Sequence, residues 1–319
     1  MTLTADPADQ REQTEPAGLR CAPAYLASGL PIIGSAPSEM TGWILLEHPG
    51  PWPKKGLPHD IDADLRSWLE ARPERVQLIH RVERRSVRTT RRVYVSAGFD
   101  VLATIELPSL DDLGRHLGAI EAAHDATAVG VPTIPDGFEI VAQAPLLVCT
   151  QGRRDICCAQ WGRPAAIALV EAFGSGRVWE TNHLGGHRFA ANLVVPPGAF
   201  YHGQIEPDRI VDLAHDLLAG RLPLKTLRGR SGIPAAAQAA EYFVRRDLGL
   251  TGIDDVAGVA PVDSAEHGDP ITSAWQVSTA AGTSRAVRIR RDDGPMLPSS
   301  CGADPEPQAR YDLLDFQTA

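Results

Sequence analysis

The stretch PLLVCTQGRRDICCAQWGRPAAIALVEAFGSGRVWET, residues 145–181, decides the fold class that the sequence predicts. It begins with an apolar run of the length of a buried strand, and its last residues, 177–181, predict a second strand. Between them, residues 164–173 predict a helix that opens on a proline, which the first helical turn tolerates. Strand, helix and strand in this order favour an α/β protein in which helices cover a sheet.

The same rhythm continues on both sides of this stretch. Residues 189–195 predict a further strand, and a helix opens at Pro207 and ends at Gly220. This order of elements is compatible with a thioredoxin-like layer of helices on a mixed sheet. A similar order is predicted earlier in the chain, at 42–48, 62–72, 76–80, 93–96, 101–107 and from Ser109 onward. We therefore expect an internal duplication whose first copy lacks metal ligands.

These patterns divide the chain into four parts. In chain order, we expect a disordered tail at 1–20, an N-terminal α/β lobe at 21–135, a thioredoxin-like domain at 136–230 and a small α+β extension at 231–319. The extension is expected to contain a helix over 234–249 and a hairpin around Ala281-Gly282, followed by a Pro-rich tail that wraps the surface.

The composition restricts the class of protein. The 319 residues, 43% apolar and 22% charged, suffice for two globular domains of ordinary size. The net charge of −9 argues against a nucleic-acid partner and against an anionic membrane surface. The polar N-terminus has no hydrophobic signal core, and no apolar run approaches the roughly 20 residues of a spanning helix. We therefore expect a cytoplasmic protein with no membrane partner.

The cysteines favour a metal or redox site over a disulfide framework. There are five of them, an odd number, and three fall within 149–158. We expect Cys157 to be a bystander beside Cys158, and Cys21 and Cys301 to lack a nearby ligand partner.

Two short motifs carry the candidate site. CTQGRRDICC, 149–158, directly follows a predicted buried strand, and loops at strand ends of open α/β sheets commonly carry functional residues. HLGGH, 183–187, also follows a predicted strand. Because each glycine costs about 1 kcal/mol in a helix interior, HLGGH predicts a loop that can fold both imidazoles onto one centre. The candidate ligands are Cys149, Cys158, His183 and His187.

Two thiolates and two imidazoles suit more than one metal. They fit a tetrahedral Zn²⁺ ion, and they also fit a [2Fe–2S] cluster with both histidines on one iron. Glycine-rich loops favour the larger cluster, because backbone amides must approach its sulfides. On the residues alone, both readings stay open.

CTQGRRDICC and NHLGGHRFAANLVV resemble the signature of the sucrase/ferredoxin-like family. Similar stretches are CAPAYLASGLPIIGSAP, WILLEHPGPWP, LRGRSGIPAAAQAAEYF and SSCGADPEP. The resemblance implies a thioredoxin-like ferredoxin with a bis-histidinyl [2Fe–2S] cluster as its cofactor. The family's ligand pattern falls on Cys149 and Cys158 and on His183 and His187. The chain departs from the pattern at Cys157, where the family often has a basic residue.

The resemblance implies an electron carrier, or a component of a reductase system, whose partner is another redox protein. Sugar cleavage is not expected, since no paired carboxylates lie on a recognisable glycosidase framework. With two neutral ligands, the oxidised site is neutral and accepts an electron more readily than a four-thiolate site. Rieske centres accordingly lie at about −150 to +300 mV, against about −400 mV for plant-type ferredoxins. The second ring nitrogen of a ligand histidine can couple proton uptake to electron gain.

Two other functions remain as alternatives. One is a zinc-stabilised binding module, in which the same four ligands hold Zn²⁺. The other is a thioredoxin-like thiol oxidoreductase, although the Cys-x-x-Cys motif expected of that class is missing from the sequence.

Overall fold

The computed structural model describes residues 20–82, 89–262 and 271–317. The predicted disordered tail, 1–20, lies outside these ranges apart from Arg20. The described residues form a large mixed sheet with helices packed on it and a smaller antiparallel sheet. The prediction of an α/β protein is therefore confirmed.

The bounds of the regular elements are as follows. The helices are α1 (Cys21–Ser28), α2 (Ala63–Glu70), α3 (Leu117–Ala128), α4 (Ile156–Phe173), α5 (Ile210–Leu218) and α6 (Ala235–Leu248). The strands are β1 (Gly42–Glu47), β2 (Arg75–Arg81), β3 (Arg91–Ala97), β4 (Ala103–Leu107), β5 (Glu139–Ile140), β6 (Leu146–Cys149), β7 (Val178–Thr181), β8 (Leu193–Val194), β9 (Phe200–His202), β10 (Leu227–Arg230), β11 (Val256–Pro261), β12 (Thr272–Thr279), β13 (Ser284–Pro298) and β14 (Pro305–Gln317). None of the helices in the described ranges has both the length and the apolar character needed to cross a membrane.

The large sheet has the same arrangement of elements in each half. Its strand order is β10-β9-β8-β6-β7-β2-β1-β3-β4-β5. In one half β2 runs parallel to β1, β3 runs antiparallel to β1 on its other side, and β4 is antiparallel to β3. In the other half β7, β6, β8 and β9 repeat these pairings. The helices repeat as well, since α2 and α4 each join a parallel strand pair, while α3 and α5 each follow the fourth strand.

The two halves join through equivalent strands. β2 pairs antiparallel with β7, and Ile79 lies opposite Thr181. Because equivalent strands meet in opposite directions, the halves are related by an approximate twofold rotation about the middle of the sheet. Each half buries its own apolar cluster, one including Leu65 and Leu69 of α2 and the other including Leu213 and Leu217 of α5.

α4 begins eight residues before the predicted helix at 164–173. The side chain of Asp155 accepts a hydrogen bond from the Cys157 amide at 2.9 Å and caps the helix there. Pro164 is therefore an interior residue, where proline removes one helical hydrogen bond and costs roughly 3 kcal/mol. Burial of apolar side chains such as Leu169 beside β6 and β7 offsets that cost. As a consequence, Cys157 and Cys158 lie in the first turn of a helix and not in a loop.

The predicted strand at 189–195 is mostly wrong. A single 3₁₀ turn occupies His187–Phe189, and only Leu193–Val194 pair as a strand. The amide of Phe189 donates to the carbonyl of Gly186 at 2.9 Å, so this backbone bonds locally before it reaches the sheet.

The C-terminal region also differs from its prediction. β11, β12, β13 and β14 form an antiparallel sheet against which α6 packs, with Val287 and Ile289 fully buried between them. The expected Pro-rich tail is in fact most of the long β13–β14 hairpin. Pro298 and Pro305 lie at strand ends, and Pro295 lies in the bulge between Asp293 and Met296. Pro307 lies within β14, which is tolerated because β14 is an edge strand of the sheet.

We predict that Gly162→Ala destabilises the packing of α4 on β6. A Cβ at Gly162 would lie 2.1 Å from the carbonyl oxygen of Cys149, so the helix would have to move away from the strand. Overpacking of this kind costs about 1–3 kcal/mol. Chemical denaturation measures the loss, and Gly118→Ala in α3, whose Cβ meets nothing within 4 Å, is the matched control. Equal stabilities of the two variants would contradict the proposed contact.

Candidate metal centre

The sheet brings the two ligand motifs to one edge. β6 and β7 are parallel neighbours, and Cys149 at the end of β6 lies in register with Thr181 at the end of β7. The carboxyl ends of neighbouring parallel strands meet at the same edge. The loop that carries His183 therefore leaves the sheet beside the segment that leads from Cys149 into α4.

Three of the four predicted ligands come together in the structure. The Sγ atoms of Cys149 and Cys158 and a ring nitrogen of His183 all lie within 4.8 Å of one another. Cys149 and Cys158 are buried at 1% and 0% exposure, and His183 is half-buried. Cys158 reaches this position because the capped first turn of α4 points it toward the end of β6.

His187, the fourth predicted ligand, lies outside this group of three, with its ring beside that of His183. Its ring centroid is 5.0 Å from that of His183, with an angle of 36° between the ring planes. Its Nε2 atom lies 3.7 Å from Oδ2 of Asp155. Burial lowers the pKa of His187, so its imidazole is neutral near pH 7, the form that binds metals.

Among the described residues, three ring nitrogens of the two histidines are buried and make no side-chain hydrogen bond. These atoms are Nδ1 of His183 and both ring nitrogens of His187. A buried ring nitrogen that makes no hydrogen bond costs about 1–3 kcal/mol. A metal centre would bind one nitrogen of each ring together with the two buried thiols, so the donor set fits such a group.

The pKa values of Cys149 and Cys158 are shifted in opposite directions. A hydrogen bond from Cys158, and after it the neighbouring His183, hold the pKa of Cys149 well below its usual value. The same hydrogen bond and burial raise the pKa of Cys158 well above its usual value. Cys149 is therefore the first of the pair to become a thiolate, which is the form that binds metal.

A buried arginine, Arg228, packs against the glycine pair that lies between the two histidines. Gly186 has φ +67°, and a Cβ there would lie 2.6 Å from Nη2 of Arg228. Arg228, 1% exposed, donates from Nη1 to the carbonyl of Gly185 at 3.0 Å and to Oδ1 of Asn192 at 2.8 Å. The side-chain Nδ2 of Asn192 donates in turn to the carbonyl of Gly186 at 3.1 Å. Burial lowers the pKa of Arg228 to about 9, so it is still charged at pH 7.

The backbone of His183 is fixed separately. Its amide donates to Oε1 of Gln151 at 2.9 Å, and its carbonyl accepts from Nη2 of Arg75 at 2.9 Å. A cavity of about 740 Å³ opens beside it, and its lining also includes Lys54 and Arg154. His183 is thus the ligand candidate on the accessible side of the site.

A second group of candidate ligands was not expected from the sequence. Cys21, Asp155, Cys157 and Cys301 also place one ligand atom each within 4.8 Å of one another. The expectation that Cys21 and Cys301 lack a nearby ligand partner is therefore wrong, while that of Cys157 as a bystander beside Cys158 stays a prediction. These cysteines lie in α1, in α4 and between β13 and β14, so only the folded chain brings them together.

Two further site residues were also missed. The first is Asp155, whose carboxylate accepts hydrogen bonds from the backbone amides of Cys157 and Cys301. The only sequence signal for this role was an aspartate two residues before Cys157, the spacing of a helix N-cap. Arg228 lies in the quoted segment LRGRSG, but no pattern connects it to the histidine loop.

The fold and this site define a mixed α/β protein in which buried cysteine, histidine and aspartate groups can hold a metal ion. A protein-family model described as Sucrase/ferredoxin-like matches residues 32–229, more than half of the chain. The chain belongs to this family. The matched range contains all four predicted ligands but neither Cys21 nor Cys301. No curated protein and no solved structure matches the chain.

We predict that Arg228→Lys loosens the histidine loop. A lysine ammonium has a single nitrogen and cannot replace both Nη1, which donates to Gly185 and Asn192, and Nη2, which donates to the carbonyl of Ser35. Each orphaned buried acceptor costs about 1–3 kcal/mol. Chemical denaturation should show a loss of roughly 2–4 kcal/mol, and bound metal should pass to a chelator faster than in wild type. Arg221→Lys, at an ion pair with Asp216 whose arginine side chain is 57% exposed, is the matched control and should change stability by less than about 0.5 kcal/mol. Indistinguishable metal release from the two variants would refute the positioning role of Arg228.

Proposed function

We propose that the chain is an electron-transfer protein with a [2Fe–2S] cluster bound by Cys149, Cys158, His183 and His187. The observation that carries the proposal is the set of buried histidine nitrogens that make no hydrogen bond, beside two buried thiols. The family description, Sucrase/ferredoxin-like, supports a ferredoxin-like role in preference to a zinc module. When bound, the cluster would supply one-electron chemistry.

We further propose that the two halves of the large sheet are thioredoxin-like repeats, of which the second binds the cluster. The identical pairing of β2-β1-β3-β4 and β7-β6-β8-β9 supports this reading. In the second half the site lies where β6 leads into α4. At the corresponding place in the first half, β1 ends at Glu47, and His48 contacts Asp60 with its Nε2 at 3.2 Å. The division at residues 135 and 230 remains part of this proposal, although β5, at Glu139–Ile140, pairs with β4 and extends the first half past residue 135.

The chain's own residues would set the charge of the site. Cys149 and Cys158 as thiolates neutralise the +2 charge of an oxidised cluster core, while the histidines add none. Arg228 and Arg154 lie close enough to affect the ionisation of Cys149 and His187, respectively. Positive charge at this distance favours the state that has gained an electron. The expected result is a higher reduction potential than four thiolates would give.

The partner would approach on the His183 side. The cavity beside His183 is the route by which another redox protein can come near the ligand set. Basic residues outnumber acidic ones in its lining, so an acidic face on the partner would be attracted there. The basic residues are Lys54, Lys55, Arg72, Arg75 and Arg154, and the acidic ones are Glu39, Glu70 and Glu74. His187 and Cys158 are buried and would exclude water from the ligand set.

Ligand substitutions test the proposal directly. Cys149→Ser or Cys158→Ser should abolish the iron and the visible absorption of the purified protein, because serine is a poor ligand for the cluster. Cys157→Ser, one residue away in the same helical turn, is the matched control and should keep both. Iron and sulfide analysis with an absorption spectrum gives the answer. A wild-type protein that is colourless and contains zinc at these four residues would leave the zinc module as the function.

We also predict that the reduction potential falls as pH rises. Electron gain favours proton uptake at the outer nitrogen of a ligand histidine, and His183 beside the cavity and His187 beside Asp155 both have a route for that proton. The limiting slope is about 59 mV per pH unit for one proton per electron. Voltammetry from about pH 6 to 10 measures it. Replacement of both histidines by cysteine, in protein that keeps its cluster, should lower the potential and flatten the slope. A potential independent of pH over this range would remove proton coupling from the proposal.

A further inference from the structure

Three cysteines that lie far apart in the sequence meet beside the candidate metal centre. The Sγ atom of Cys301 lies 3.3 Å from Sγ of Cys157 and 3.6 Å from Sγ of Cys21. Cys21 and Cys157 are fully buried, and Cys301 is half-buried. The three segments that carry them are α1, the first turn of α4 and the turn between β13 and β14.

A carboxylate faces the same three sulfurs. Oδ1 of Asp155 lies 3.2 Å from Sγ of Cys301 and 3.7 Å from Sγ of Cys21. Its other oxygen, Oδ2, accepts hydrogen bonds from the amide of Cys301 at 2.8 Å and the hydroxyl of Ser300 at 3.2 Å. Asp155 therefore has a fixed orientation that presents one oxygen to the thiol group.

These separations match the edges of a tetrahedral zinc site. Zn–S bonds of about 2.3 Å give tetrahedral S···S edges of roughly 3.8 Å, and a Zn–O bond of about 2.0 Å gives S···O edges of roughly 3.5 Å. The S···S distances of 3.3 and 3.6 Å and the S···O distances of 3.2 and 3.7 Å lie within about 0.5 Å of these values. A disulfide would require a sulfur separation of about 2.05 Å, far shorter than any of these contacts.

We propose that Cys21, Cys157 and Cys301, with Oδ1 of Asp155, form a second metal site that binds one Zn²⁺ ion. Three thiolates and one carboxylate carry the same total charge as the Cys₄ sites that hold structural zinc. The ion would join α1 and the β13–β14 hairpin to the capped end of α4. The half-buried Cys301 provides the entry path. The second site shares none of the four proposed cluster ligands, although Oδ2 of Asp155 lies 3.7 Å from Nε2 of His187.

The first test is the metal content and the zinc coordination of the purified full-length protein. We expect about one zinc per chain by mass spectrometry of the metals. X-ray absorption at the zinc edge should then show three sulfurs at about 2.3 Å and one oxygen at about 2.0 Å. This measurement needs no variant and therefore does not depend on whether a variant folds.

The second test uses variants that separate the two sites. Cys301→Ser should lose the zinc and keep the iron, because Cys301 is half-exposed and contacts none of the four proposed cluster ligands by hydrogen bond. Cys149→Ser should do the opposite and keep the zinc. In that iron-free variant, Co²⁺ supplied in place of zinc should give the ligand-field and sulfur charge-transfer bands of a tetrahedral thiolate site, and Cys301→Ser added to it should remove them.

Several results would overturn the proposed zinc site. They can be told apart from results that overturn the cluster proposal. Zinc coordinated by two sulfurs and two nitrogens, and lost in Cys149→Ser, would place zinc at the first site and refute both proposals. A second such result is a zinc-free protein that keeps its iron at the first site and is two hydrogens lighter in the absence of reductant. That mass would indicate a disulfide within the second group of cysteines, where the zinc should lie. Zinc retained in Cys301→Ser would also refute the site.

Discussion

The carboxylate of Asp155 is the interaction on which the rest of the site depends. It caps α4 through the amide of Cys157, fixes the turn at Cys301 through a second amide and lies 3.7 Å from the ring of His187. Burial by itself would raise the pKa of Asp155, but the amides of Cys301 and Cys157 bring it below the usual value. The side chain is therefore a buried anion held by backbone dipoles, and it touches both groups of candidate ligands.

The two halves of the large sheet have equivalent strand ends, but only the end of β6 carries the candidate ligands beside Asp155. Parallel strands β6 and β7 end together, so a short loop from each one reaches the same point without any long connection. The first half repeats the strand pairings but has other side chains at the end of β1. The sheet thus supplies a position for a site in each half, and the residues that follow the strands decide whether chemistry occurs there.

The sequence alone predicted the α/β class and the two ligand motifs, because hydrophobic periodicity and strand-end glycines are local signals. It placed the start of α4 at Pro164, since a proline is a stronger local signal than an isolated aspartate cap. It also assigned no role to Cys21 and Cys301. Their meeting with Cys157 depends on the docking of α1 and of the β13–β14 hairpin, and no spacing within the chain encodes such long-range contacts. Arg228 was missed for the same reason.

Asp155 also gives a physical reason for histidine at position 187. Two negative charges about 4 Å apart repel by roughly 4 kcal/mol at an effective dielectric constant of about 20. A thiolate in the place of His187 would face that repulsion from Asp155 in both oxidation states, and an added electron would increase it. A neutral imidazole avoids it and leaves Asp155 free to cap α4. In the proposed carrier, the histidine ligand is thus a consequence of the buried carboxylate as much as a means of setting the potential.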